Sequence, residues 1–235
     1  MRVAVIQMEV DGASRANNQR RAFELIAQAA ELDPVPEVIC LPGRCEGGSL
    51  VEGDDAASVL TSRTFTGVLA SQAREMGVGV VVGFAEFDGQ HHYDCAAWID
   101  ADGDMLVKHR RITMERDEPQ RFARGRSIQV ALSLFGPVGV LAGDDVCNDA
   151  IVGTVKQMGA PVIFVCGCWA VAPKEQLLCK LARAHGVWLV IADSGGPGGG
   201  RGHSRIIDPQ GTVACAADKG GQILTYDIDV EQAVS

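Results

Sequence analysis

Short runs of β-branched and aliphatic residues alternate along this chain with longer stretches of helical periodicity. Helix 61–76 shows the pattern, because Phe65, Val68, Leu69 and Ala73 repeat at the spacing of one helix face. Strands alternating with such amphipathic helices predict a layered α/β domain. The predicted helices are 15–32, 61–76, 150–159 and 173–186, and the predicted strands are 2–8, 37–41, 78–86, 94–100, 104–109, 127–132, 137–142, 161–166, 187–192, 203–208, 212–217 and 222–227.

Two turn signals show that hairpins are mixed with crossover units. Asp100–Gly103 and Asp208–Gly211 each separate two predicted strands with the turn residues of a β-hairpin. The mixture predicts two packed mixed sheets with helices outside. No linker, repeat or charge block divides the chain, and we expect one domain over 1–235.

Composition excludes several classes of partner. Apolar residues make up 47% of the chain and charged residues 22%, which is ordinary for a soluble globular protein. A net charge of −9 argues against a nucleic-acid surface or a polybasic membrane patch. The eight cysteines include no Cys-x-x-Cys, several lie in apolar runs, and the N-terminus shows no signal pattern. Together these features favour the reducing cytoplasm.

Three segments carry the candidate chemistry. Cys40-Leu41-Pro42-Gly43-Arg44, Val107-Lys108-His109-Arg110-Arg111-Ile112 and Gly139-Val140-Leu141-Ala142-Gly143-Asp144-Asp145 resemble, in order and flanking residues, the catalytic segments of the nitrilase (carbon–nitrogen hydrolase) superfamily. Tyr93-Asp94, Glu118 to Gly125 and the hairpin Gly202 to Gly211 resemble three further family segments. The resemblance implies a four-layer αββα sandwich and a site for amide or nitrile hydrolysis.

The three positions that should hold the catalytic residues depart from the family pattern. The family places Glu, Lys and a nucleophilic Cys where this chain has Gly43, Arg111 and Gly143. Glycine can neither take a proton nor form a thioester, and arginine stays protonated under ordinary conditions. Loss of both nucleophile and base would remove the covalent route.

Neighbouring residues offer displaced replacements. Cys147, four residues beyond Gly143, could be a displaced nucleophile, but a partly buried thiol at the site's edge is the plainer interpretation. Glu46 could be a replacement base, whereas a solvated loop carboxylate is the plainer interpretation, and Cys45 has the same plain alternative. Positioning errors of ~1 Å can cost ~10²-fold in rate, which weighs against such replacements.

The surviving charged residues allow a structural and a functional interpretation. Glu118 corresponds to the family's auxiliary Glu, Asp145 to a largely structural Asp, and Asp144 follows the nucleophile position. No histidine is placed to complete a metal site with them, and we expect no metal. Arg111 either pairs with Glu118 or Asp144 and fills the vacated space, or offers its guanidinium to a small anionic ligand.

The sequence therefore predicts a nitrilase-fold protein that has lost hydrolysis and serves in ligand binding, partner binding or assembly. The alternative is an active carbon–nitrogen hydrolase that uses Cys147 and Glu46. The resemblance also implies a homo-oligomer, most simply a dimer. We expect no cofactor.

Overall fold

The computed structural model describes residues 1–47, 56–114, 121–169, 171, 173–196, 200 and 202–231. Within these ranges the chain forms twelve strands and four α-helices. The helices are α1 (Arg15–Ala30), α2 (Ala56–Met76), α3 (Asp149–Gln157) and α4 (Glu175–His185). The strands are β1 (Arg2–Gln7), β2 (Val38–Cys40), β3 (Gly79–Phe87), β4 (His92–Ile99), β5 (Met105–Arg110), β6 (Val130–Ser133), β7 (Gly136–Ala142), β8 (Val162–Gly167), β9 (Trp188–Asp193), β10 (Arg205–Ile207), β11 (Val213–Ala216) and β12 (Gln222–Asp227).

The strands form two six-stranded sheets, in the orders β12-β1-β2-β3-β4-β5 and β11-β10-β9-β8-β7-β6. Strands β1, β2 and β3 are parallel at the centre of the first sheet, as are β7, β8 and β9 in the second. The outer strands of both sheets pair antiparallel. The expected mixture of crossovers and hairpins is confirmed.

Three buried clusters fill the spaces between four layers. In β1, Val3 and Val5 face the cluster between the two sheets, whereas Ala4 and Ile6 face the cluster under α1 and α2. A third cluster joins the second sheet to α3 and α4, with Ile163 of β8 at its centre. Because the central strands are covered on both faces, they are continuous apolar runs. The four-layer αββα sandwich is confirmed.

Two local expectations need correction. Val68 was assigned to the buried face of α2, but it is 38% exposed, while Phe65, Leu69 and Ala73 are buried as expected. A 3₁₀ helix over Gly143–Cys147 follows β7 directly and was not predicted. Five residues are too few for a hydrophobic period to show, so this element had no sequence signal. None of the helices in the described part of the chain is long and apolar enough to cross a membrane.

Candidate functional site

The three segments singled out from the sequence meet at one end of the sandwich. They follow the carboxyl ends of β2, β5 and β7, and the segment after β8 joins them. Contacts between segments fix this meeting: Gly43 N donates to the Gly167 carbonyl at 2.9 Å, and Arg111 lies against the 3₁₀ helix. The structure therefore brings positions 43, 111 and 143 to the same end of the fold.

Position 43 has no room for a side chain. A Cβ atom built on Gly43 would lie 2.8 Å from the Cys166 carbonyl oxygen and 3.1 Å from the Gly167 carbonyl carbon. Both are backbone atoms of β8, so they cannot rotate out of the way. A glutamate at position 43 would require the loop after β2 to move away from β8.

Position 143 lies at the turn from β7 into the 3₁₀ helix. Gly143 has a φ of 51°, in the left-handed region, and a Cβ built on it would lie 2.9 Å from both Cδ and Nη1 of Arg111. Tight strand-to-helix turns of this kind present the nucleophile in other hydrolases. Here the turn is present, and the guanidinium of Arg111 occupies the space next to it.

Arg111 is buried and lies between two carboxylates. Its Nε is 3.4 Å from an Asp94 oxygen and its Nη1 is 3.3 Å from an Asp144 oxygen, while Nη2 donates to the Met114 sulfur at 3.4 Å. The expected pairing of Arg111 with Asp144 is confirmed. The pairing with Glu118 cannot be followed, since Glu118 lies outside the described residues.

A second arginine, which sequence reasoning missed, shares this network. Arg44 is buried, with Nε 3.7 Å from the same Asp94 oxygen and Nη2 donating to the Cys168 carbonyl at 3.2 Å. Its guanidinium also stacks on Phe122, 5.4 Å from the ring centroid. The one available signal was Asp94 itself, which stands where the family usually has Asn.

Trp169 closes the network on the side of the second sheet. Its indole Nε1 donates to Asp144 at 2.9 Å, and the residue is 5% exposed. Among the described residues, two arginines and two aspartates thus form one connected group that Trp169 contacts. Buried guanidinium groups require such partners because an isolated buried charge is costly.

Asp144 and Asp145 are adjacent in the 3₁₀ helix but have different partners. Asp145 lies 2.6 Å from Nε2 of His109, and both side chains are fully buried. It also accepts the backbone N–H groups of Ile112 at 2.9 Å and Thr113 at 2.6 Å. Asp145 therefore fixes the turn that follows β5 and presents Arg111 to the network.

The plain interpretation of Glu46 and Cys45 as solvated loop residues is wrong. Glu46 is 1% exposed and accepts the Ala85 backbone N–H at 2.8 Å, and Cys45 is fully buried beside it. Burial raises the pKa of Glu46 to about 7, although the hydrogen bond from Ala85 partly opposes this. The loop after β2 folds back onto β3, which no local sequence pattern shows.

The proposed replacement pair is not brought together. Cys147 ends the 3₁₀ helix and packs, partly buried, against the cluster of the second sheet and its helices. Glu46 is bonded to β3 in the first sheet, and its neighbour Cys45 belongs to the cluster under α1 and α2. The two residues therefore belong to different layers.

Two further titratable groups lie near the network. Asp193 is the last residue of β9, accepts the Trp169 N–H at 3.3 Å, and has its pKa raised to about 7 by burial. Burial likewise raises the pKa of the Cys168 thiol, which the nearby Arg44 only partly offsets. A protonated, buried thiol is a poor nucleophile. No group of metal-binding side chains occurs among the residues that the structure describes.

Two buried guanidinium groups lie at this end of the fold, and position 143 has no side chain. Thiol-based hydrolysis needs a nucleophile, a base in hydrogen-bond contact, and a donor for the developing oxyanion. Arg111 and Arg44 are donors only, and among the described residues both lie within ion-pair distance of aspartates. The group can stabilise the fold and hold charge in place.

Comparisons with known proteins agree with this architecture. A family model described as carbon-nitrogen hydrolase matches residues 2–235. The omega-amidase NIT2 of Danio rerio is 27% identical, with 98% of this chain and 88% of that protein aligned. A probable nitrilase of Schizosaccharomyces pombe is 21% identical over 98% of this chain and 89% of its own length. Among solved structures, an amidase from Nesterenkonia sp. AN1 superimposes with a TM-score of 0.89 at 21% identity, covering 100% of this chain and 95% of that one. Saccharomyces cerevisiae Nit3 gives a TM-score of 0.86 at 19% identity, covering 100% and 92%.

Proposed function

The chain belongs to the carbon–nitrogen hydrolase family, and on that premise we propose that it acts by binding or assembly and not by thiol-based hydrolysis. In this proposal the two arginines and two aspartates replace the catalytic group with a structural one. The fold would be kept for the surfaces that it presents.

One observation carries the proposal: Arg111 occupies the space beside Gly143. A side-chain atom at position 143 would lie 2.9 Å from the guanidinium, and the residue is a glycine. The Nesterenkonia amidase, by contrast, has an active-site cysteine to which acrylamide adds. Without a thiol at this turn, and with no room for a base at position 43, the acyl-enzyme route has neither of its first two participants.

The comparisons favour a second candidate, an active amide hydrolase. The curated relatives include omega-amidases aligned over 98% of this chain. A buried carboxyl with a pKa of about 7, as in Glu46, also suits a general base at neutral pH. Against this candidate stands the separation of Glu46 and Cys147 between layers.

An assay for ammonia release decides between the two candidates. Purified protein would be incubated with ω-amides, simple amides, nitriles and carbamoyl compounds, beside Cys147→Ser, Cys168→Ser and Glu46→Gln. We expect no turnover above background. Turnover within ~10³-fold of an ordinary enzyme (~10 s⁻¹), abolished by a cysteine substitution, would establish the hydrolase.

We also propose that the protein is a cytoplasmic dimer that takes a small anionic ligand. Apolar side chains on or next to α3 and α4 support association there: Leu177 is 38% exposed, Met158 42% and Val171 82%. Eight free cysteines support a reducing compartment. Sedimentation of wild type and Leu177→Glu tests the dimer, which the added charge should weaken.

A further inference from the structure

A polar groove on the outer side of β5 carries an excess of positive charge. It has a volume of about 450 Å³, within the range of small-molecule sites. Its floor is formed by the ends of β4 and β5, and its wall by the segment 124–129. Four cationic side chains line it: Lys108, Arg110, Arg124 and Arg126. In a chain with a net charge of −9, such a concentration is unusual.

Two of these cations are already fixed by carboxylates. Lys108 and Arg110 both pair with Glu86, and Nη1 of Arg110 is 3.8 Å from Asp88. The Arg110 guanidinium also lies over the Tyr93 ring, 3.8 Å from its centroid. These contacts hold two cationic heads in place on the groove floor. They also mean that Glu86 and Asp88 neutralise only two of the four charges.

The other two cations are exposed and make no ion pair with a described residue. Arg124 and Arg126 alternate with Gly125, whose N–H donates to the Arg111 carbonyl at 2.7 Å. The preceding Ala123 N–H donates to the His92 carbonyl at 2.7 Å, so the backbone of this wall is tied to β4 and β5. Two guanidinium groups are thus presented beside the groove from an anchored segment.

We propose that this groove binds a small phosphorylated molecule. Guanidinium groups match phosphate oxygens bidentately and stay charged at every physiological pH, which a phosphate ligand requires. Arg124 and Arg126 would grip the phosphate, while Lys108 and Arg110 add positive potential from the floor. The site is separate from the Arg111 network, and its occupancy does not depend on whether that network is catalytic.

The test is a titration of the protein with inorganic pyrophosphate at constant ionic strength, measured by isothermal titration calorimetry. The double variant Arg124→Gln/Arg126→Gln is compared with Arg20→Gln/Arg63→Gln, which removes the same charge from exposed positions on α1 and α2. We expect saturable binding to wild type, weakened roughly tenfold or more in the groove variant and unchanged in the control. Absence of saturable binding, or equal weakening in both variants, overturns the proposal.

A second arm distinguishes a free ligand from a lipid headgroup. Flotation is measured with phosphatidylcholine vesicles, with and without phosphatidic acid. We expect no vesicle capture under conditions in which pyrophosphate binds. Capture that depends on phosphatidic acid and on Arg124 and Arg126, without pyrophosphate binding, would replace the small-molecule ligand with a membrane.

Discussion

The guanidinium of Arg111 lies 2.9 Å from the point where a side chain on Gly143 would begin. This contact links two of the three departing positions, those where the family places its nucleophilic cysteine and its lysine. Arg111 is held there by Asp94 and Asp144 on either side. The stability of the site therefore depends on the pairing of Arg111 with these two aspartates.

Arg111→Ala should destabilise the fold by roughly 3–5 kcal/mol, because it leaves the buried Asp94 and the partly buried Asp144 without their shared partner. Arg111→Lys keeps the charge but loses the forked geometry, and it should cost less. Urea unfolding of both variants measures the difference. Arg20→Ala, at a surface position where the side chain is 72% exposed, is the control. An Arg111→Ala protein as stable as wild type would show that the pairing contributes nothing.

Gly143→Cys alone should restore no hydrolysis. The new side chain would sit at a φ of 51°, and the three described atoms nearest to its Cβ all belong to Arg111, which cannot act as a base. Both Gly143→Cys and Gly143→Ala should destabilise the protein, and to a similar degree, since the strain comes from the first side-chain atom that the two variants share. Ammonia release and thiol alkylation are the measurements, because the nearby guanidinium can make the new thiol reactive without turnover. Hydrolysis by this single variant would reveal a functioning base.

The ionisation of Glu46 and Asp193 should make the fold less stable near pH 8 than near pH 5. Burial raises the pKa of each to about 7, from ordinary values of 4.5 and 3.8. At pH values between each group's ordinary pKa and 7, the folded protein binds more protons than the unfolded chain. The free energy of unfolding therefore falls as the pH rises. Glu46 alone would account for a loss on the order of 3 kcal/mol by pH 8.

Glu46→Gln should remove the contribution of Glu46 to the fall of unfolding free energy with pH. The variant should therefore be more stable than wild type near pH 8. Urea unfolding across the pH range measures it, with Glu24→Gln on the exposed face of α1 as control. Identical slopes for wild type and Glu46→Gln would mean that the Glu46 carboxyl ionises as readily in the fold as in water.

Asp145→Ala should cost roughly 3–5 kcal/mol, because it removes a fully buried carboxylate that contacts His109 and accepts two backbone N–H groups. It also leaves the N–H groups of Ile112 and Thr113 without their acceptor, so their hydrogen exchange should accelerate. Unfolding and amide exchange are the two measurements. Exchange at these two amides that stays at wild-type rates would contradict the role given to Asp145.

The strands and helices could be predicted because their signals are local. In β8, Val162, Phe164 and Cys166 face one cluster and Ile163 and Val165 another, and this doubly buried run reads directly from the sequence. The candidate site was harder to predict from the sequence. Position 143 was found from its flanking residues, but the closeness of Arg111 to it depends on how β5 and β7 meet.

Arg44 and Glu46 show why the rest could not be predicted. Both lie in a loop, where no period distinguishes a buried charge from a solvated one. Arg44 is buried because Asp94 and the Cys168 carbonyl receive it, and both belong to distant segments. Glu46 is buried because the loop folds onto Ala85. Such burial depends on tertiary contacts, and local sequence propensity does not predict it.

The close approach of Gly43 to β8 has an evolutionary consequence. Any side chain at this position meets main-chain atoms, so no single substitution there can be accepted without a prior change in the loop. A change from glycine to glutamate at this position would therefore need at least one further substitution that lets the loop after β2 move away from β8.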